Sequence, residues 1–398
     1  MTPGCPAEWR RAALEPPRVG AAPPATATLK AAAEDFLVEE RLSFEPSGDG
    51  PHWLLQVEKR GANTHWVASE IARRGRADPR DVGFAGLKDR HAVAVQWFSV
   101  PRGASVAADW LAISSPEFRV LDVRANGRKL KRGALSGNRF RIRLRDIAGP
   151  AAPVGSSGTA GTREAARPPE AAGSSEPAGS REAAGWRRAL EARLEIIRRE
   201  GVPSYFGTQR FGRHGANLDR VADWARGGAA PRGRSAHGFV LSAARSLVFN
   251  ALLGRRVEAG DWARLQPGDI ASLDGSGSHF AVSAVDAEME RRLSELDIHP
   301  SGPLWGRGEP RTQGEALAHE LEIARALPEV TGLLASQGLA QERRALRCAV
   351  RELAWSWDED ALDLSFSLAR GQFATAVLRE LCNLREGDSP SLVDDGDD

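Results

Sequence analysis

One aspartate in this chain is placed as a catalytic carboxylate would be. Asp89 stands between two basic residues in Gly86-Leu87-Lys88-Asp89-Arg90-His91, a short connection between apolar runs at 82–85 and 93–100. Both runs are rich in Val and aromatics with partial alternation, which reads as two strands, and Gly86 lets the chain bend between them. A carboxylate on a loop fixed by a sheet is presented rigidly and can serve as nucleophile or base. Taken alone, the Lys-Asp-Arg step also fits a solvated turn in which Asp bonds its own backbone. Lys88 is expected to point away from Asp89, as adjacent side chains do, and to be solvated or to meet phosphate.

The elements that must hold this loop are legible on either side of it. Runs at 34–44 and 53–59 read as strands joined by the turn cluster Pro46-Ser47-Gly48-Asp49-Gly50. Asn63 or Thr64 can cap a helix reaching about residue 74, with Trp66, Val67, Ala68, Ile71 and Ala72 near one face. Further strands are expected at 118–124 and 139–147. In the second, Phe140, Ile142 and Leu144 alternate with Arg139, Arg141, Arg143 and Arg145, so one face is core and the other basic. Some of those arginines are expected to meet phosphate.

Composition bounds the rest. The 398 residues, 41% hydrophobic and 27% charged, suffice for one large core or two smaller ones, and two domains are expected. The net charge of +1 hides a segregation: nine Arg or Lys and no acid lie between Arg124 and Arg145, while the tail at 386–398 is acidic. Only five lysines occur (Lys30, Lys59, Lys88, Lys129, Lys131), so positive charge is nearly all guanidinium, which pairs with phosphate and stacks on bases. Cys5, Cys348 and Cys382 suggest neither a disulfide framework nor a zinc site. With no signal peptide and no run near the length of a membrane span, a cytoplasmic protein is expected. Nucleotide-hydrolase, serine-hydrolase and paired-His metal motifs are missing from the sequence.

Two segments read differently from the remainder. Residues 1–28 are Ala/Pro/Arg-rich with little periodicity and are expected to form a flexible N-terminal arm. Residues 149–185 hold Ala, Gly, Ser, Pro, Glu and Arg with no aliphatic residue larger than Val, too little apolar surface to offset ordering entropy, so a disordered low-complexity insertion is expected. A connecting helix follows at 186–200, then helices around 241–256 and 315–325, short strands near 280–285, a half-buried strand at 361–368 and a helix at 373–383.

Six ordered blocks resemble the tRNA pseudouridine synthase D (TruD) family. They are Lys30 with Glu34-Asp35-Phe36; Gly86-Leu87-Lys88-Asp89-Arg90-His91-Ala92-Val93 with Gln96-Trp97; Gly137-Asn138-Arg139-Phe140; Val202-Pro203 with the segment from Tyr205 to Gly212; Leu241-Ser242-Ala243-Ala244-Arg245-Ser246 with Phe249-Asn250; and Gly371-Gln372-Phe373-Ala374-Thr375 with Leu378-Arg379-Glu380. The resemblance implies an α+β fold, a pseudouridine synthase catalytic domain with a mixed, largely antiparallel sheet at 29–148 and 346–385. It also implies an α+β TRUD-type domain inserted at 201–345, with RNA in the cleft between the two. The implied activity converts uridine to pseudouridine in tRNA at position 13: the C1′–N1 bond breaks, the uracil turns, and C1′ is rejoined to C5. No metal or other cofactor and no protein partner is implied, and a monomer is expected.

By the same resemblance Asp89 is the catalytic residue and Lys30 the cation that keeps it ionised. Asn138 and Phe140, two apart on a strand, would meet the edge and face of the target base, and Phe36 and Phe373 would line the same pocket. Two positions depart from the pattern, Ala94 where Thr is usual and Ser204 where Asn is common. If a Thr hydroxyl positions the loop, Ala94 requires a hydrogen bond from elsewhere. Two other readings compete, a non-catalytic RNA-binding or RNA-chaperone protein and a hydrolase acting on nucleosides through Asp89. The intact Asp89, Lys30 and Asn138 favour the synthase.

Overall fold

The computed structural model describes residues 4–103, 107–149 and 178–387. The chain opens with α1 (Ala7–Leu14) and β1 (Thr26–Leu29), then β2 (Phe36–Leu42), β3 (His52–Lys59), α2 (Thr64–Gly75), β4 (Gly83–Phe84), β5 (Val93–Pro101), α3 (Ala107–Leu111), β6 (Phe118–Asn126) and β7 (Leu135–Ala148). After α4 (Ala178–Glu200) come β8 (Val202–Pro203), α5 (Ala216–Ala225), α6 (Arg234–Glu258), β9 (Ile270–Leu273), β10 (His279–Ala281), α7 (Ala287–Ser294) and β11 (Ile298–Leu304). The remainder is α8 (Gly314–Ala326), α9 (Pro328–Ser336), β12 (Glu342–Ala345), β13 (Arg347–Cys348), β14 (Arg351–Asp358), β15 (Ala361–Ala369), α10 (Ala374–Leu381) and β16 (Asn383–Glu386).

The large sheet runs β14-β15-β7-β2-β5-β3-β6, with β1, β16 and β4 added at its margins. Only β2 with β5 and β1 with β16 pair in parallel, so the sheet is mixed and largely antiparallel. Strand alternation sorts its side chains. Phe36, Val38, Phe140, Ile142, Leu144, Leu364 and Phe366 bury one face under α4 and α10. Beyond α4 the chain builds a second core from α5, α6 and α9 together with Tyr205, Phe206 and Trp305, and beside it a sheet ordered β10-β9-β11-β12. It leaves and re-enters next to the large sheet through an antiparallel pair, Val202 opposite Cys348 and Pro203 opposite Arg347.

Three expectations change. Part of the N-terminal arm is structured: Trp9 and Ala13, four apart on α1, bury against the second core. Arg10 reaches Asp219 at 2.6 Å, and Arg193 donates to the carbonyls of Val19 and Ala21 at 3.0 and 2.6 Å. The Ala/Pro composition hid a two-point apolar anchor and backbone carbonyls that arginines could capture. The helix expected from residue 186 begins at Ala178, inside the segment expected to be disordered. The rest of that segment, residues 150–177, lies outside the described residues, as does nearly all of the acidic tail. Finally, among the described residues α6 is long and apolar enough to cross a membrane, yet its apolar side chains from Val240 to Val257 are packed inside the second core.

Candidate active site

The loop carrying Asp89 is fixed from beneath by buried polar groups. Lys59, at the end of β3, is fully buried, and its Nζ donates to the carbonyls of Ala62 and Asp89, both at 2.8 Å, and of Lys88 at 3.4 Å. Thr64, the first residue of α2, accepts the Lys88 N–H on Oγ1 at 3.1 Å and donates to Gln96 Oε1 at 3.1 Å, while Gln96 Nε2 donates to the Gly86 carbonyl. Thr64 is thus a hydroxyl that holds the loop, while Ala94 is fully buried in the core opposite Lys59 and Val38. Lys88 is not solvated. It pairs with buried Glu40 at 3.0 Å, whose second oxygen accepts the Trp97 N–H at 3.0 Å.

Above this base, both oxygens of Asp89 are oriented. Oδ1 accepts the His91 N–H at 2.9 Å, the local turn bond that an Asp in such a sequence can make, and Oδ2 pairs with Lys30 Nζ. Thus the turn reading and the ion-pair reading of Asp89 both hold, one per oxygen. Lys30 follows β1 with φ 57°, a left-handed conformation uncommon outside glycine, and its Nζ lies 4.8 Å from the centre of the Phe36 ring. Burial by itself would push the Asp89 carboxyl up; the Lys30 ammonium and the His91 N–H outweigh it and hold the group below the ordinary carboxylate range. Asp89 is ionised at neutral pH.

The predicted base-binding residues do not form one cluster. Phe36 and Phe140 meet edge to face with centres 6.0 Å apart, and Phe140 stacks on Phe366 at 5.4 Å, so both rings belong to the sheet's core face beneath Lys30. Asn138 lies in register with Glu40 on one side and Leu368 on the other, which joins it to the ion pair under the Asp89 loop. Its Oδ1 is buried with no hydrogen-bond partner. Preceding it, Gly137 runs so close to β15 that a Cβ there would sit 2.2 Å from the Leu368 carbonyl oxygen. Phe373 instead caps α10 and packs with Phe206 at 6.3 Å on the second core. Between these aromatic rings lies Arg344, which donates to the Gly371 carbonyl and to Ser204 Oγ at 2.9 Å each; Ser204 Oγ in turn donates to Gln372.

The arginine alternation on β7 is present, but its partners are protein carboxylates as well as solvent. Arg143 pairs with Asp363 at 3.0 Å and also with Asp358, and Arg145 bonds Asp35 through Nε and Nη2 at 2.7 to 3.0 Å. These side chains leave the sheet on the face opposite Phe36 and Phe140. Sequence reasoning missed Lys59, Glu40 and Thr64 as supports of the loop. A lysine and a glutamate ending or interrupting an alternating strand were the available signal. Among the described residues no group of three His, Cys, Asp or Glu side chains is placed to hold a metal ion.

The mixed sheet with helices packed on it is an α+β arrangement that known proteins share. A crystal structure assigned as tRNA pseudouridine synthase D (TruD) from Methanosarcina mazei superposes with a TM-score of 0.61 over 92% of this chain and 94% of that one, at 20% identity. The family model described as tRNA pseudouridine synthase D (TruD) matches residues 18–164 and 236–381. The tRNA pseudouridine synthase D of Nitrosococcus oceani is 40% identical over 380 residues, covering 94% of this chain and 96% of that protein. That of Methylococcus capsulatus is 43% identical over 357 residues, covering 89% and 90%. The chain belongs to the tRNA pseudouridine synthase D (TruD) family. It is an isomerase that makes pseudouridine from uridine.

Proposed function

We propose that this enzyme isomerises uridine 13 of tRNA, with Asp89 as its catalytic residue and Lys30 as the cation that keeps the carboxylate ionised. The observation that carries the reading is a lysine-held Asp89 together with an unsatisfied amide oxygen on Asn138, which lies in register with Glu40, the partner of Lys88 next to Asp89. A buried oxygen without a partner costs free energy unless a ligand supplies a donor. The N3–H of uracil is such a donor. Phe36 and Phe140, in the core face beneath Lys30, would bound the base from the sheet, and Phe373, packed on the second core, would meet it from the other side.

Asp89 has two ways to open the glycosidic bond that suit a carboxylate. It attacks the nucleoside, at the sugar or at the uracil ring, and later leaves, or it removes a sugar proton and returns it. Both retain every atom of the uridine and need no outside reactant. The segment at 201–345 acts as an inserted TRUD-type domain against a catalytic domain made of 29–148 and 346–385, with the RNA lying between them. The enzyme works as a cytoplasmic monomer.

Replacing Asp89 tests this directly. Asp89→Asn keeps the shape of the side chain but is neither nucleophile nor base, so conversion should fall by about 10⁴-fold or more while tRNA affinity changes little. Turnover near the wild-type rate would remove Asp89 from the chemistry. Mapping pseudouridine in tRNA from cells with and without the protein locates the target; a position 13 unaltered by its loss would refute the proposed site.

A further inference from the structure

In a chain whose positive charge is nearly all arginine, three of the five lysines, Lys30, Lys59 and Lys88, converge on the Asp89 loop. Lys30 and Lys88 each face a carboxylate. Lys59 does not: among the described residues its Nζ meets only the carbonyl oxygens of Ala62, Lys88 and Asp89, and its side chain is fully buried. An ammonium with no carboxylate in contact is costly to bury, and an apolar side chain of equal length would serve the core better. What only the ammonium offers is three N–H groups spread tetrahedrally about one nitrogen, one for each of the three carbonyls. A planar guanidinium could not converge on them in this way.

Two of those carbonyls belong to the catalytic loop and the third to the turn between β3 and α2. Lys59 therefore clamps the loop's backbone to that turn. Asp89 is then held at three points: its carbonyl by Lys59, Oδ1 by the His91 N–H and Oδ2 by Lys30. We propose that Lys59 is a positioning residue for the isomerisation, its ammonium fixing the Asp89 backbone and so the direction in which the carboxylate meets the nucleoside. This rests on Asp89 being the catalytic group. Burial pushes the Lys59 ammonium down to about 8, opposed by Asp89 and reinforced by Lys88, so the group still carries its charge and all three donors at neutral pH.

The test is Lys59→Met, which keeps the length of the side chain and removes every donor. Misplacing a reacting group by about 1 Å costs roughly 100-fold, so the single-turnover rate at saturating enzyme should fall on that order. Affinity for tRNA should stay within about threefold, because Lys59 is below the surface. With the loop loosened from Lys30 and the charge of Lys59 itself removed, the acid limb of the rate profile should also move to higher pH; the other groups that face Asp89 are Lys30 and His91. Lys59→Gln, which retains two N–H donors, should fall between, and it is read in the same way if the Met variant does not fold. A saturated rate within a few-fold of wild type, with the acid limb unmoved, would overturn the proposal. So would losses of rate, affinity and melting temperature in step, which would mark Lys59 as a support of the fold. If Asp89→Asn is inactive while Lys59→Met is fully active, the positioning role alone fails; an active Asp89→Asn removes the catalytic reading and this proposal together.

Discussion

Asp35 and Asp89 are both carboxylates held below their ordinary range by a basic partner that outweighs burial, yet their bonding differs in the way that matters for chemistry. A carboxylate has about four lone-pair sites. Asp35 is met by three N–H groups: Arg145 Nη2 on Oδ1, the Ala32 N–H on Oδ2, and the single Arg145 Nε–H shared between the two oxygens. Asp89 accepts one bond on each oxygen, from His91 N and from Lys30. Asp35 is the more fully engaged of the two, and its side chain is buried, so it has little to offer a substrate. A depressed pKa is common to structural pairs and reactive groups, and the bonding capacity left on Asp89 is what its proposed role requires.

The two faces of β7 repeat the contrast. Toward the core, Asn138 keeps an oxygen without a partner beside the Glu40 and Lys88 pair. On the other face the arginines form a groove of about 380 Å³ with Glu34, Ser356 and Asp363, and Arg143 there is already committed to Asp358 and Asp363. This groove is the region whose ionic demands the protein largely meets itself.

Removing Lys30 should have the largest effect on this comparison. In Lys30→Met the burial of Asp89 is no longer opposed by the ammonium, so its pKa rises. In the proposed role Asp89 acts in its ionised form, so the acid limb of the single-turnover rate should move up by about one to three pH units. Stability follows the same sign: a depressed carboxylate pKa contributes stability above the unfolded value of about 3.9, lost as pH falls through the folded value, and the variant forfeits it. An acid limb that stays in place would mean that Lys30 does not set the ionisation of Asp89.

Asp35→Asn should produce the reverse pattern at smaller scale. The amide cannot accept on both sides, so the Arg145 bonds are disrupted. With the guanidinium 43% exposed, the expected loss is only about 1–2 kcal/mol of stability. Thermal unfolding would report it, while the saturated rate should remain within a few-fold of wild type. A catalytic defect comparable to that of Asp89→Asn, with stability unchanged, would erase the distinction between the two carboxylates.

Much of the frame behind this distinction is written locally. The alternation in β7, the Asn63 cap on α2, whose Oδ1 accepts the Trp66 N–H at 2.7 Å, and the strand at 361–368 all rest on short-range patterns that the fold preserves. The loop's supports were hidden for the opposite reason. Glu40 and Lys88 are 48 residues apart, and Lys59 finds the Asp89 carbonyl 30 residues on, so neither partner can be inferred from its own neighbourhood. A strand-end lysine ordinarily reaches solvent, and only the closure of β3, α2 and β5 around it makes Lys59 internal. The N-terminal arm failed similarly, since the burial of Trp9 and Ala13 depends on helices more than 200 residues away.

The arginine row is where pattern and partner diverge most finely, and it gives the smallest predicted effect. From the alternation alone, Arg141 and Arg143 are equivalent candidates for phosphate. They are not equivalent in the fold: Arg143 bridges Asp358 and Asp363, whereas the exposed side chain of Arg141, set between Leu37 and Ser365, makes no hydrogen bond or ion pair with the described residues. Each phosphate that the protein ceases to neutralise reduces the steepness of the salt dependence by about one unit or a little less. Arg141→Ala is therefore expected to weaken tRNA binding a few-fold and to flatten its salt slope by up to that amount, with the saturated rate unchanged. Arg143→Ala should leave the slope as it is and lower the melting temperature slightly, because it removes a bridge within the β14–β15 hairpin's margin and leaves the RNA's own partners in place. Affinities measured across a salt series decide between them. Equal flattening in both variants would mean that RNA displaces Asp358 and Asp363 from Arg143, placing this face on the binding path; no flattening in either would confine the RNA to the side of the sheet that carries Asn138 and Asp89.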